Sequence, residues 1–192
     1  MRRSKLYIQL IFALFLPICG VGQIDNHFTK EWSATNKLGY IDFIGNIKAS
    51  SNLSSYLSAG IISYVNYSTK DSIEYKVVTQ MDKYSSWVKM TDTSRSDLHY
   101  EQDLFDIMEV HARELRRALF NTPMSYDDTV WVTLDEKYGN KAVEVEWNDY
   151  AMAISNGDID EEEQKEYEIK IRQEVDSLDA YKNPIVRIKY KK

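Results

Sequence analysis

The stretch Asp97–Phe120, DLHYEQDLFDIMEVHARELRRALF, predicts a long amphipathic helix around which the rest of the chain folds. Apolar residues recur in it at spacings of three and four, which places them on one stripe of a helix. This stripe consists of Leu104, Phe105, Met108, Ala112, Leu115 and Leu119. A second set widens it, namely Tyr100, Leu104, Ile107 and His111. Because the stripe is wide, we expect the helix to be held between two layers rather than to lie on the surface.

The same stretch carries the signals of a stable helix. Ser94 or Ser96 is the predicted N-cap, because a hydroxyl there can accept a hydrogen bond from the first turn. Glu109 and Arg113 are four residues apart and are expected to form an ion pair. These features favour one continuous helix over the whole stretch.

Five further stretches predict strands. Leu57–Tyr67 and Ile73–Asp82 predict a β-hairpin, because apolar and polar residues alternate in the second and give it one buried face. Thr129–Leu134 and Ala142–Trp147 predict a second hairpin, since valine and tryptophan alternate with glutamate in its second half. Ile185–Tyr190 predicts a last edge strand with exposed bases.

A second helix is predicted before that last strand. Asp158 is placed to cap it, and Glu161 would close a capping box. Its buried stripe consists of Tyr167, Ile171, Val175 and Leu178. Together, these elements predict an α+β fold, with an antiparallel or mixed sheet packed on the long central helix and a C-terminal helix.

The N-terminus has the pattern of a secretory signal peptide, Met1–Gly22. Three bases precede the apolar run Leu6–Ile18, which is too short for a typical membrane span. Cleavage leaves Gln23 at the start of a single domain, residues 23–192. The alternative is a lipoprotein anchored through Cys19. The sequence therefore predicts an exported protein, periplasmic or extracellular, with no membrane span after cleavage.

The charge of the chain argues against nucleic acid as a partner. Removal of the signal peptide, with its three bases and no acids, moves the formal net charge from -6 to -9. An acidic chain repels phosphate backbones. We expect instead a peptide, a protein or a glycan as the ligand, and exposed tyrosine and tryptophan side chains are one way to bind a sugar.

The segment Tyr100–Arg113, YEQDLFDIMEVHAR, resembles the zincin-type helix of a bacterial family of predicted secreted zinc-dependent proteases, which reads H-E-Q-x-H-F-D-I-x-E-x-x-A-R. Three more patches are similar to signatures of that family and follow in the same order: Leu38–Gly45, Ser85–Val88 and Tyr150–Tyr181. The resemblance implies a zincin-like domain.

The resemblance also implies that the metal site is vestigial. Two histidines at i and i+4 bind one zinc ion from a single helix face, and the glutamate after the first acts as general base. Here Tyr100 and Leu104 take the histidine positions, Asn156 aligns with a third ligand position, and Glu101 keeps that of the base. Leucine offers no ligand atom, so we expect no metal cofactor and a non-catalytic, pseudo-peptidase domain.

The alternative is an active secreted zinc-dependent metallopeptidase with a relocated metal site. His99 and Asp103 are also spaced i,i+4, and His111 lies further along the same helix. In that case zinc would be held by these three residues. Helix periodicity turns the His99–Asp103 pair away from Glu101, which weakens this alternative.

Overall fold

The computed structural model describes residues 27–47, 51, 53–89, 95–124, 129–154 and 160–190. Met1–Gly22, and with it Cys19, lies outside this part, as do Ser94, Asp158 and Asn156. Within it, the main elements follow one another as β1 (Thr29–Glu31), β2 (Ser55–Tyr56), β3 (Ala59–Ser68), β4 (Ser72–Asp82), β5 (Trp87–Val88), α1 (Arg95–Asn121), α2 (Val130–Tyr138), α3 (Asn140–Ile154), α4 (Glu161–Ser177) and β6 (Ile185–Lys189).

The larger sheet is antiparallel and is built around β4. Strand β3 pairs along one edge of β4, while β1 and β6 share the other edge. Strands β2 and β5 form a separate two-stranded sheet. The predicted first hairpin is therefore confirmed as β3–β4, and the predicted last strand is confirmed as β6. The α+β class is confirmed as well.

One face of β4 is buried, as its alternating sequence predicts. Tyr75, Val77, Thr79 and Met81 are each at most 3% exposed. Helix α1 lies against this face, since it contacts β4, β3 and β6. It also contacts α2, α3 and α4. The expectation that the central helix lies between two layers is confirmed. Ser96 is inside α1 and is not its N-cap.

A buried ion network joins α1 to the sheet. The Glu109 carboxylate accepts hydrogen bonds from Arg113 Nε at 2.9 Å, Arg116 Nη1 at 2.9 Å and Thr79 Oγ1 at 2.9 Å. Arg116 also donates to the Val77 carbonyl of β4 at 3.0 Å. Glu109 and its three partners are all buried. The predicted Glu109–Arg113 pair is confirmed, and it is part of a network in which every charge has partners.

The predicted second hairpin is wrong. Thr129–Leu134 runs into α2 and Ala142–Trp147 lies inside α3. The residues that α3 packs inward are Val143, Trp147, Tyr150 and Ile154, at i, i+4, i+7 and i+11, which is a helical pattern. Val145, which a strand would place beside Val143 on the buried face, is 62% exposed.

Helix α4 starts at a different cap from the predicted one. Asp160 is its N-cap, and its carboxylate accepts hydrogen bonds from the backbone N–H groups of Glu162 and Glu163. The cap therefore lies two residues beyond Asp158. The predicted stripe holds, since Ile171, Val175 and Leu178 are buried and Tyr167 is half-buried.

Candidate functional site

Tyr100 and Leu104, the two residues that the resemblance aligns with metal histidines, lie where α1 packs on α3. The Tyr100 ring stacks on the Tyr150 ring, with centroids 5.6 Å apart and planes 15° apart. Burial raises the pKa of Tyr100 to about 12. Leu104 is 6% exposed, and its carbonyl accepts a hydrogen bond from Trp147 Nε1 at 3.0 Å. Leu104 is therefore buried, and Tyr100 is half-buried with its ring packed on another ring.

Glu101, at the position of the general base, is bonded to the small sheet. Ser55 Oγ of β2 donates to its carboxylate at 2.6 Å, and the residue is 3% exposed. Burial raises its pKa to about 7, and the nearby Asp97 charge adds to the effect. Around neutral pH, part of the Glu101 population is therefore protonated.

Asp103 is the second buried acid of α1. It accepts a hydrogen bond from the Tyr150 hydroxyl at 2.5 Å and is 3% exposed. Burial raises the pKa of Asp103 to about 7, and it also raises the pKa of Tyr150. Glu101 and Asp103 are two residues apart, so they point to different sides of the helix and do not form a catalytic pair of carboxylates.

The three residues of the relocated-site alternative are each bonded to a different partner. His99 Nδ1 lies 2.6 Å from Glu168 Oε1, and His111 Nε2 lies 2.7 Å from Glu146 Oε2. Asp103 is bonded to Tyr150, as above. Within the part of the chain that the structure describes, no three His, Cys, Asp or Glu residues are grouped to hold a metal ion.

The position of Asn156, aligned with the third ligand, is outside the described residues. The described residues on either side are close together, since the Asp160 backbone N–H donates to the Ile154 carbonyl at 2.9 Å. The last residue of α3 and the N-cap of α4 are therefore neighbours.

A groove of about 480 Å³ opens where α3 and α4 meet α1. This volume lies within the range of small-ligand sites, about 300–1,000 Å³. Its lining combines aromatic, aliphatic and charged side chains, among them His111, Val145, Glu146, Tyr150, Tyr167 and Lys170. The groove lies on the same side of α1 as Tyr100 and Leu104, because His111 and Ile107 follow them at helical spacing.

Charge is unevenly distributed around the groove. Glu146 and Asp149 line it together with Lys170, and Glu174 is close by. Burial raises the pKa of Glu174, and the Glu146 charge raises it further, while Lys170 lowers it. Counted over the described residues, these three acids outnumber the one lysine of the lining.

Sequence reasoning found His111 but missed the residues across the groove. Glu146 and Asp149 belong to the segment around the wrongly predicted hairpin, and Lys170 lies in the predicted second helix, where no pattern distinguishes it. A helical periodicity carried through to Ile154 is the signal that could have placed Glu146 opposite α1.

Searches of protein-family models, curated proteins and solved structures find no match to this chain. The resemblance to the zinc-dependent protease family therefore stays a prediction. Among the described helices, none combines the length and the apolar character needed to cross a membrane.

Proposed function

We propose that this chain is an exported, non-catalytic zincin-like domain that serves as a binding module in the cell envelope. The observation that carries the proposal is the packing of Leu104. A metal ligand would have to stand at this position, and a side chain only 6% exposed fills it instead. The groove beside it is the place proposed for a peptide, protein or glycan ligand.

The residues shared with the zincin-type helix support this proposal, because their side chains form hydrogen bonds that hold the fold together. Asp106 accepts hydrogen bonds from Trp32 Nε1 at 2.5 Å and from Lys37 Nζ at 2.9 Å. Glu109 and Arg113 belong to the buried network under the sheet. The residues that differ from the family's helix, Tyr100 and Leu104, make packing contacts. This division is the one expected of a domain that keeps the fold of an enzyme without its chemistry.

The surroundings of Glu101 also support a non-catalytic role. A general base must reach a water molecule that is polarised for attack. The Glu101 carboxylate instead accepts a hydrogen bond from the Ser55 hydroxyl and is buried against β2.

One observation favours the alternative, an active secreted metallopeptidase. The pKa values of Glu101 and Asp103 are both raised to about 7, and acids that titrate near neutrality are frequent at catalytic sites. In this alternative zinc would be relocated to His99, Asp103 and His111. Their separate partners Glu168, Tyr150 and Glu146 would have to be released first.

Export is tested by the intact mass of the protein from its native host. The signal-peptide pattern of Met1–Gly22 predicts a chain that begins at Gln23. A mass that includes a diacylglycerol group on Cys19 would replace this proposal with a lipid-anchored protein.

The zincin-like ancestry is tested by restoring the ligands. We expect the triple variant Tyr100→His, Leu104→His, Asn156→His to gain zinc binding, measured by calorimetric titration. Burying an imidazole at Leu104 costs about 1–3 kcal/mol, whereas structural zinc sites bind with about 10–16 kcal/mol. Zinc therefore recovers the cost even at a poorly tuned site.

The single variant Leu104→His is the control. It carries the same packing defect but lacks the other two ligands. A triple variant that folds, as judged by circular dichroism, and yet binds zinc no better than the single variant contradicts the zincin-like proposal. In that case the side chains at the three positions do not come close enough together to bind one zinc ion.

A further inference from the structure

We infer that the groove between α1, α3 and α4 accepts a cationic nitrogen group, the ammonium of a lysine or the guanidinium of an arginine in a bound peptide. This inference rests on the proposed binding function and names the chemistry of its ligand. It follows from three features of the groove: its charge, its aromatic wall and an unfilled hydrogen-bond acceptor.

The charge of the groove selects for a cation. The carboxylates of Glu146 and Asp149 line it, and Glu174 stands close enough to Glu146 for the two charges to interact. Among the described residues, Lys170 is the one lysine in the lining. A bound cation relieves the repulsion among these carboxylates, whereas a bound anion adds to it.

The aromatic wall already holds a cation. Lys170 Nζ lies 5.6 Å from the centre of the Tyr167 ring. The Tyr167 ring in turn meets the Tyr150 ring edge to face, at a centroid distance of 5.3 Å. A cation over a tyrosine face is attracted by the ring quadrupole, and carboxylates near it strengthen the attraction. Lys170 is exposed, so a ligand cation can take its place over the ring.

The unfilled acceptor belongs to His111. This residue lines the groove, is 9% exposed and bonds Glu146 through Nε2. When the ring proton is on Nε2 and is donated to Glu146, Nδ1 is an acceptor. This buried Nδ1 has no hydrogen-bond partner among the described residues. A donor reaches this buried atom only when the ring moves toward the groove, and it is then an N–H or an O–H group. Ammonium and guanidinium groups carry several N–H donors.

The probe for this inference is a series of acetylated and amidated heptapeptides, three glycines on each side of a central residue. The central residue is lysine, arginine, norleucine or glutamate, and binding to the mature protein is measured by calorimetry. We expect the lysine and arginine peptides to bind at least about tenfold more tightly than the norleucine peptide, a difference of about 1.4 kcal/mol. The glutamate peptide should show no binding.

Two variants change the groove charge in opposite directions. Glu146→Gln keeps an acceptor for His111 but removes a negative charge, and it should weaken the lysine peptide about tenfold. Lys170→Met removes the competing cation and should strengthen that peptide several-fold. A gain in affinity cannot result from misfolding. Glu166→Gln, on the exposed side of α4 and outside the groove lining, is the matched control and should change nothing.

A third variant locates the site. Val145 lines the groove and is 62% exposed, so Val145→Trp obstructs the groove without disturbing the core.

If the norleucine peptide binds as tightly as the lysine peptide and Val145→Trp blocks both, the binding function stands and the cation inference is overturned. If no peptide binds, or if Glu146→Gln and Lys170→Met leave the lysine peptide unchanged, the cation inference is also overturned. The zincin-like ancestry is then still judged by the zinc titration.

Discussion

The two long sides of α1 differ in how completely their polar groups are paired. On the side toward the sheet, Glu109 is held by Arg113, Arg116 and Thr79. The arginines also donate to backbone carbonyls of β4, of the last turn of α4 and of Tyr181 beyond it. On the side toward α3 and α4, His111 Nδ1 has no hydrogen-bond partner among the described residues, and a groove opens where the three helices meet. One helix thus combines a fully paired side with an incompletely paired one.

The difference separates structural polar residues from candidate functional ones. A buried charge whose hydrogen bonds are all made has nothing left to offer a ligand, and its role is to fix the packing. A buried group with an open acceptor beside a cavity can gain a partner from outside. Sequence alone presents Glu109 and His111 as neighbours on one helix, and their surroundings assign them different roles.

The largest effect is expected on the sheet side. Among the described residues, Glu109→Gln leaves buried Arg116 without a counter-charge and Arg113 with only the exposed Asp179 carboxylate at 4.0 Å. This should lower the free energy of unfolding by about 3–5 kcal/mol. The measurement is urea denaturation followed by circular dichroism. Glu114→Gln is the control, because Glu114 pairs with Arg117 on the partly exposed surface, and such pairs contribute about 0–1 kcal/mol. Equal losses for the two variants would contradict a structural role for the buried network.

A smaller loss is expected on the helix side. Tyr150→Phe removes the hydroxyl that donates to Asp103 and leaves a buried carboxyl with fewer partners. The free energy of unfolding should fall by about 1–3 kcal/mol in urea denaturation. Tyr67→Phe, at a side chain that is 61% exposed, should change it by less than about 0.5 kcal/mol. A Tyr150→Phe variant as stable as the wild type would show that this bond does not hold α3 to α1.

The buried acids should also make stability depend on pH. The pKa values of Asp103 and Glu101 are raised in the folded state to about 7, from 3.8 and 4.5. A raised pKa means that the folded state favours the protonated acid. The contribution is therefore fully present below about pH 4 and is lost as the pH rises toward 7.

We expect the free energy of unfolding to fall between about pH 4 and pH 7, by up to about 1.4 kcal/mol per pH unit for each acid. Asp103→Asn, which cannot ionise, should reduce this slope in urea denaturation at several pH values. Glu166→Gln, at an exposed acid, should leave it unchanged. A slope unaffected by Asp103→Asn would place the titrating group elsewhere.

The elements with one buried face could be predicted from the sequence. Helix α1 and the β3–β4 hairpin each repeat their apolar residues at a single clear period, 3.6 or 2 residues, over a long stretch. Helix α3 could not be predicted in this way, because the short segment around Val143, Val145 and Trp147 fits a strand as well as a helix. The helical assignment depends on Tyr150 and Ile154, which lie one and two turns further on.

The candidate site could be predicted only on the α1 side. The resemblance to the zinc-dependent protease family singles out Tyr100, Glu101 and Leu104. The residues that contact them in the structure come from distant parts of the chain. Glu146 lies 35 residues from His111, and no local pattern joins the two. The packing of the helices determines which charged side chains face the groove. The spacing of residues within one segment does not predict that packing.

The central claim, that the mature protein binds without catalysing, is tested most directly by its metal content together with its activity. The measurement is zinc by mass spectrometry on protein that begins at Gln23, with its melting temperature and casein hydrolysis recorded with and without a chelator. We predict well under one equivalent of zinc, no change in melting temperature on chelation, and no hydrolysis. One equivalent of zinc with chelator-sensitive hydrolysis would contradict the claim, since a chelator destabilises or inactivates a protein that depends on its metal.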